Sequence, residues 1–168
     1  LNELLAGRDL GALDWLVVLD DDVDLPAGFL DRFIGAAESA GLLVAQPAHR
    51  LRSHAAWDVT RRVPGVIARE TTFVEIGPVT AFAAPVFGTL LPFPEGLRMG
   101  WGLDAHWSAV AAGLGWPIGI VDATPVGHTL RPAAATYPRE AAIAEAREFL
   151  AGRAYVTRDA VRTVRTVT

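Results

Sequence analysis

Cysteine is absent from this chain of 168 residues, which excludes disulfides and zinc sites built on thiolates. Lysine is absent as well. All 15 basic residues are arginine, so neither a Schiff-base lysine nor the lysine of a phosphate-binding P-loop is available. There is no basic excess either: with 19 acidic residues the net charge is −4, which excludes nucleic acid as the main partner. A membrane-spanning run is also missing. The 19 residues from Ile76 to Pro94 carry no charge and approach the length of a span, but Pro78, Pro85, Pro92 and Pro94, with Gly77 and Gly88, would break such a helix repeatedly. That stretch reads instead as buried irregular and strand structure. What the chain has in quantity is apolar mass, 51% of its residues, in a length that suits one domain with a real core. It opens on Leu1 without a methionine or a signal peptide and with a helix already under way, which reads as a segment of something longer.

The stretch Trp15 to Pro26, WLVVLDDDVDLP, organises the rest. Trp15 to Leu19 form a short apolar run of the kind expected of a strand buried on both faces. The run stops at Asp20, Asp21 and Asp22, with Asp24 close behind. If the backbone stays extended, Asp20 and Asp22 point one way and Asp21 the other. So many carboxylates repel one another unless a cation or a ring of donors sits among them. Hard oxygen ligands favour magnesium, manganese or calcium over zinc. The competing reading is a solvated acidic turn with Asp24 capping a helix that starts at Pro26.

Around this stretch the pattern is α/β. Residues 1–13 read as helix, Pro26 to Gly41 as a second helix with Phe29, Phe33 and Ile34 at helical spacing, and Leu42 to Ala45 as the next strand. Strand, helix and strand at these lengths predict a parallel crossover with ligands at the carboxyl ends of the strands. Residues 46–69 are polar and irregular, with Trp57, Arg61 and Arg62 notable; the arginine pair reads as a contact for a phosphate or an acidic acceptor, or as part of a solvated loop. Thr71 to Ile76 and Val79 to Ala83 read as short strands. Gly96, Gly100 and Gly102 make a pliable loop, and Trp101 stands on it as a platform for stacking a sugar or as a buried anchor. Asp104 opens a helix over residues 104–112, where aspartate is a favoured N-cap. Trp116 to Val121 is a strand, His128 lies in a further one, 138–152 is an amphipathic helix, and 157–168 is a basic tail.

In order, LDDDVDLP, GWGLDAHW and VDATPVGH resemble the second half of a GT-A glycosyltransferase domain, in the style of glycosyltransferase family 2. The resemblance covers about residues 10 to 130. It implies a mixed, mostly parallel sheet flanked by helices. The chain would be one partial domain, with 138–168 a C-terminal helical extension and the nucleotide-binding strands upstream of Leu1. It places Mn2+ or Mg2+ on Asp20, Asp22 and His128, a general base on Asp104, and donor or acceptor contacts on Asp21, Trp101 and Gly102. The implied partners are a nucleotide-diphospho-sugar donor and a carbohydrate or other hydroxyl acceptor. The implied location is the cytoplasm or the membrane periphery. No QxxRW motif of the processive synthases occurs, which points to a distributive enzyme, and the match of Asp104 to the general base of inverting members implies inversion.

Two rivals belong to other classes. A haloacid dehalogenase-type phosphatase also puts DxD after an apolar strand, but it needs a lysine, or rarely an arginine, beside the phosphate and a later acidic pair. Neither a lysine nor a second DD occurs here. A degenerate GT-A domain acting as a binding module is the non-enzymatic alternative.

Overall fold

A computed structural model of the protein describes residues 2–127 and 138–168. In chain order its elements are α1 (Asn2–Leu5), β1 (Trp15–Leu19), α2 (Phe29–Ser39), β2 (Val44–His49), β3 (Ala68–Thr71), β4 (Val79–Ala83), α3 (Phe87–Leu90), α4 (Leu103–Leu114), β5 (Ile118–Val126), α5 (Arg139–Leu150) and β6 (Thr163–Val167). The strands form one six-stranded sheet in the order β1-β4-β2-β5-β3-β6.

The sheet is mixed but mostly antiparallel, which corrects the expectation of a mostly parallel one. Only β2 and β5 pair in parallel; the β1–β4, β2–β4, β3–β5 and β3–β6 pairs are antiparallel. The reason lies in β4. Its VTAFA sequence has no charge and every residue is buried, so it takes an interior place between β1 and β2. Strands β1 and β2 do run the same way across α2, as a crossover requires, yet they are not neighbours. Strand β1 is accordingly an edge strand, partly buried and ending on an exposed Leu19, rather than a strand covered on both faces. The basic tail is also more than a tail, because its residues 163–167 supply β6.

Alternation along the strands divides the core into two layers. On one face Ala45, Ala81, Val79 and Val121 meet Phe29, Phe33, Ala36 and Ala37 of α2, with Phe29 and Phe33 stacked one turn apart at 5.0 Å. On the other face Val44, Phe82 and Ile118 meet α3, α4 and Phe149 of α5. There Phe82 stands edge-on to Trp107 with ring centres 5.1 Å apart. Small side chains on the α2 face admit a close-packed helix, and aromatic ones fill the wider space under α4. Gly119 is required where β3 crosses β5, since a Cβ there would lie 2.0 Å from the Arg69 carbonyl oxygen.

The β3–β5 pair carries a buried ion pair. Arg69 Nε and Nη2 donate to both carboxylate oxygens of Asp122 at 2.8 and 3.1 Å, and its remaining donors reach the carbonyls of Val59 and Arg61 and the Thr163 hydroxyl. Asp122, fully buried, also accepts from the Val63 amide at 2.7 Å. Every donor of the guanidinium is therefore engaged, as a charge held away from water requires. Among the described residues no helix is long and apolar enough to cross a membrane.

Candidate functional site

A cavity of about 1180 Å³ opens along one edge of the sheet, where the end of β1, the segment between β3 and β4, and the start of α4 converge. Asp20, Asp22, Trp101, Gly102 and Asp104 all line it. The chain turns at Asp21 and Asp22 instead of staying extended, yet Asp20 and Asp22 share the cavity while Asp21 is exposed outside its wall. Asp24 does different work. It pairs with Arg50, and its backbone bridges to Gly127 in both directions, at 2.8 and 3.1 Å, so it ties the end of β5 to the β1 turn rather than capping α2. The N-cap of that helix is Gly28, at φ 60°. His128 lies outside the described residues.

The segment 72–78, whose residues up to Ile76 the sequence predicts as a strand beginning at Thr71, is irregular, because the strand there runs Ala68–Thr71, and it is the hub of the site. Its amides alternate between two elements. Val74 N–H donates to Ser108 Oγ and Ile76 N–H to Asp104 Oδ2, both on α4 and both at 3.4 Å, while Glu75 N–H donates to Gln46 Oε1 on β2. The following turn is closed by Thr80, whose hydroxyl accepts from Gly77 N–H at 3.3 Å and donates to the Glu75 carbonyl at 3.2 Å. Asp20 N–H bonds the Pro78 carbonyl at 2.9 Å, and the Asp20 carboxylate lies so close to Gly77 that a Cβ there would meet Oδ2 at 3.2 Å. Consecutive residues of one turn thus lie against two carboxylates of the cavity: Ile76 meets Asp104, and Gly77 meets Asp20.

Asp104 is not the N-cap of α4. Gly102 occupies that position at φ 92°, where a side chain would also meet Leu150 at 3.2 Å, and Asp104 sits inside the first turn. Its Oδ1 accepts from the Ala105 amide at 2.8 Å. Burial raises its carboxyl from the ordinary 3.8 to about 6; the two amides oppose the rise and nearby Glu75 adds to it. No arginine is paired with it among the described residues.

Three further wall residues, His49, Glu75 and Arg158, were not singled out from the sequence, and a fourth, Trp57, was notable there without a role. His49, 1% exposed, places Nε2 3.2 Å from Glu75 Oε2, and both residues line the cavity. Arg158 lays its guanidinium over Trp57 at 4.7 Å and donates to the Ala56 carbonyl at 3.1 Å; Trp57 in turn packs on Phe73 at 4.4 Å. Both line the cavity too. The glycine loop is latched by one carboxylate: Glu145 of α5 accepts from the amides of Arg98, Met99 and Gly100 at 2.9, 2.9 and 3.2 Å. Burial pushes its carboxyl up, but the three amides and the Arg98 charge together outweigh it and hold the group below the ordinary range. Trp101 is half-buried at the end of the latched loop.

Neither a protein-family model nor a curated protein sequence matches this chain.

Its site is therefore read from its own residues. Among the described residues no three acidic or histidine side chains gather tightly enough to hold a metal ion by themselves. Asp20 and Asp22 still fit one kind of ion. Magnesium and manganese keep several waters and take phosphate oxygens from a substrate, so one or two protein carboxylates suffice to seat them.

Proposed function

We propose that the protein is a metal-dependent glycosyltransferase, moving one sugar from a nucleotide-diphospho-sugar to a hydroxyl acceptor with inversion at the anomeric carbon. The observation that carries this reading is the convergence of Asp20, Asp22 and Asp104 on one cavity, with a single turn in contact with two of them. The ordered motifs LDDDVDLP and GWGLDAHW that resemble glycosyltransferase family 2 support it.

Asp20 and Asp22 would hold the Mn2+ or Mg2+ ion, which supplies positive charge to the departing diphosphate when bound. Asp104 does the proton work. As the acceptor oxygen forms its bond to the anomeric carbon, its proton passes to an Asp104 carboxylate oxygen, and the bond electrons of the leaving group go to the diphosphate. A carboxyl raised to about 6 is mostly ionised at neutral pH yet basic enough to take that proton, which is the range where general-base catalysis works best. Trp101, half-buried at the end of the latched loop, offers an aromatic wall for the sugar or acceptor ring.

The test is sugar transfer from a panel of nucleotide-diphospho-sugars, with and without manganese, by the wild type and by Asp104→Asn. Transfer should require the ion and fall by about 10²- to 10⁴-fold in the variant while donor affinity persists. A rate within a few-fold of wild type would remove Asp104 from the chemistry, and transfer indifferent to chelation would remove the ion.

A further inference from the structure

Glu75 and His49 stand in the wall beside Asp104, and the transfer step above uses neither. Glu75 is fixed at three points: its amide to Gln46, its carbonyl to Thr80, and its Oε2 to His49 Nε2. With Glu75 ionised, that contact requires the histidine proton on Nε2. Nδ1 is then left buried with no hydrogen-bond partner among the described residues, as is Nε2 of Gln46. Leaving such groups unsatisfied costs stability, so a core built for packing alone would avoid this trio. The second carboxylate oxygen, Oε1, meets no donor among the described residues, and the side chain is 15% exposed on the cavity wall.

We propose that Glu75 is a substrate-binding carboxylate that accepts hydrogen bonds from ring hydroxyls of a neutral sugar, with His49 and Gln46 holding it in position. An ionised carboxylate can only accept, so its ligand must donate. An anionic group is disfavoured at this stretch of wall, where the Glu75 and Asp104 carboxylates already lie close enough to oppose each other's charge. The amide next to Glu75 is the one bonded to Asp104, so the two carboxylates flank a single peptide unit. A ring with adjacent hydroxyls then offers one to Glu75 and its neighbour to Asp104. The inference rests on the sugar-transfer reading of this cavity and extends it to a second carboxylate.

The experiment measures binding of methyl glycosides of glucose, mannose and galactose to the full chain by saturation-transfer NMR, with cyclohexanol as the hydroxyl-poor control. At least one glycoside should bind the wild type more tightly than cyclohexanol. Glu75→Gln keeps an acceptor for His49 and should melt at the wild-type temperature while binding that glycoside about tenfold more weakly, the loss expected when a hydrogen bond to a charged group becomes one to a neutral group. Should the glutamine variant melt lower, Glu75→Asp, which keeps the charge but withdraws it from the cavity, should reproduce the loss. Unchanged affinity in a variant of wild-type stability overturns the proposal, and so does failure of every glycoside to bind. The two readings separate: glycoside binding that depends on Glu75 without any sugar transfer keeps this inference and removes the transferase, whereas transfer undisturbed by Glu75→Gln does the reverse.

Discussion

Two aspartates in this molecule are buried, and they are buried in opposite ways. Asp122 is enclosed with its countercharge: Arg69 grips both oxygens, an amide takes a further lone pair, and the guanidinium has no donor left over. Asp104 is enclosed without one among the described residues. It has two amide contacts, one of them at 3.4 Å, a neighbouring glutamate that opposes its charge, and a cavity in front of it. A buried carboxylate that is fully paired is architecture, since it has no capacity left for a ligand. A buried carboxylate left short of partners keeps its basicity and its lone pairs for something that enters from solution.

The contrast is broken most severely by Arg69→Met, which leaves Asp122 buried beside no charge. The expected cost is about 3 to 5 kcal/mol of folding stability, measured by chemical denaturation, and the double variant Arg69→Met with Asp122→Leu should recover most of it. An Arg69→Met protein with the wild-type midpoint would show that the pair is not a structural element.

The same measurement on Asp104→Asn should move the other way. Because burial raises the carboxyl to about 6, the folded protein holds its proton more tightly than the unfolded chain from 3.8 up to that value. Stability therefore falls as pH rises through this window, by about 3 kcal/mol in all. Asparagine does not titrate, so the variant should gain on the wild type between pH 4 and pH 7.5. A stability difference that stays constant over that range would refute the raised carboxyl and weaken the contrast with Asp122.

Gly77→Ala gives the smallest effect, about 1 kcal/mol for a side chain placed at positive φ. It also presses on the Asp20 carboxylate. Gly96→Ala is the control, because it has the same sign of φ and open space around it. If the two variants are equally stable, the contact between Gly77 and Asp20 carries no energy.

The elements were largely legible in the sequence and their arrangement was not. The apolar run at Trp15–Leu19, the helical spacing of Phe29 and Phe33 and the uncharged Val79–Ala83 each lead to an element where expected, because periodicity and burial are local signals. Which strand lies beside which is decided by packing across the sheet, and no residue of β1 announces that β4 will be its neighbour. The site divides in the same way. Asp20, Asp22 and Asp104 are conspicuous by type and position, and the fold brings them to one cavity. Glu75, His49 and Gln46 were lost in stretches read as plain strand or irregular chain. One signal was available: Glu75 is the last charge before 19 uncharged residues, an odd place for a carboxylate without a purpose.

The turn from Glu75 to Pro78 is one support of the centre. Ile76 bonds Asp104 and the next residue, Gly77, lies against Asp20, so one short turn is common to both carboxylates. Trp101 and Arg158 hang from other supports, the loop latched to Glu145 and the segment after α5. Substitutions in those supports can therefore reshape what the cavity admits without touching the turn that Asp20 and Asp104 share.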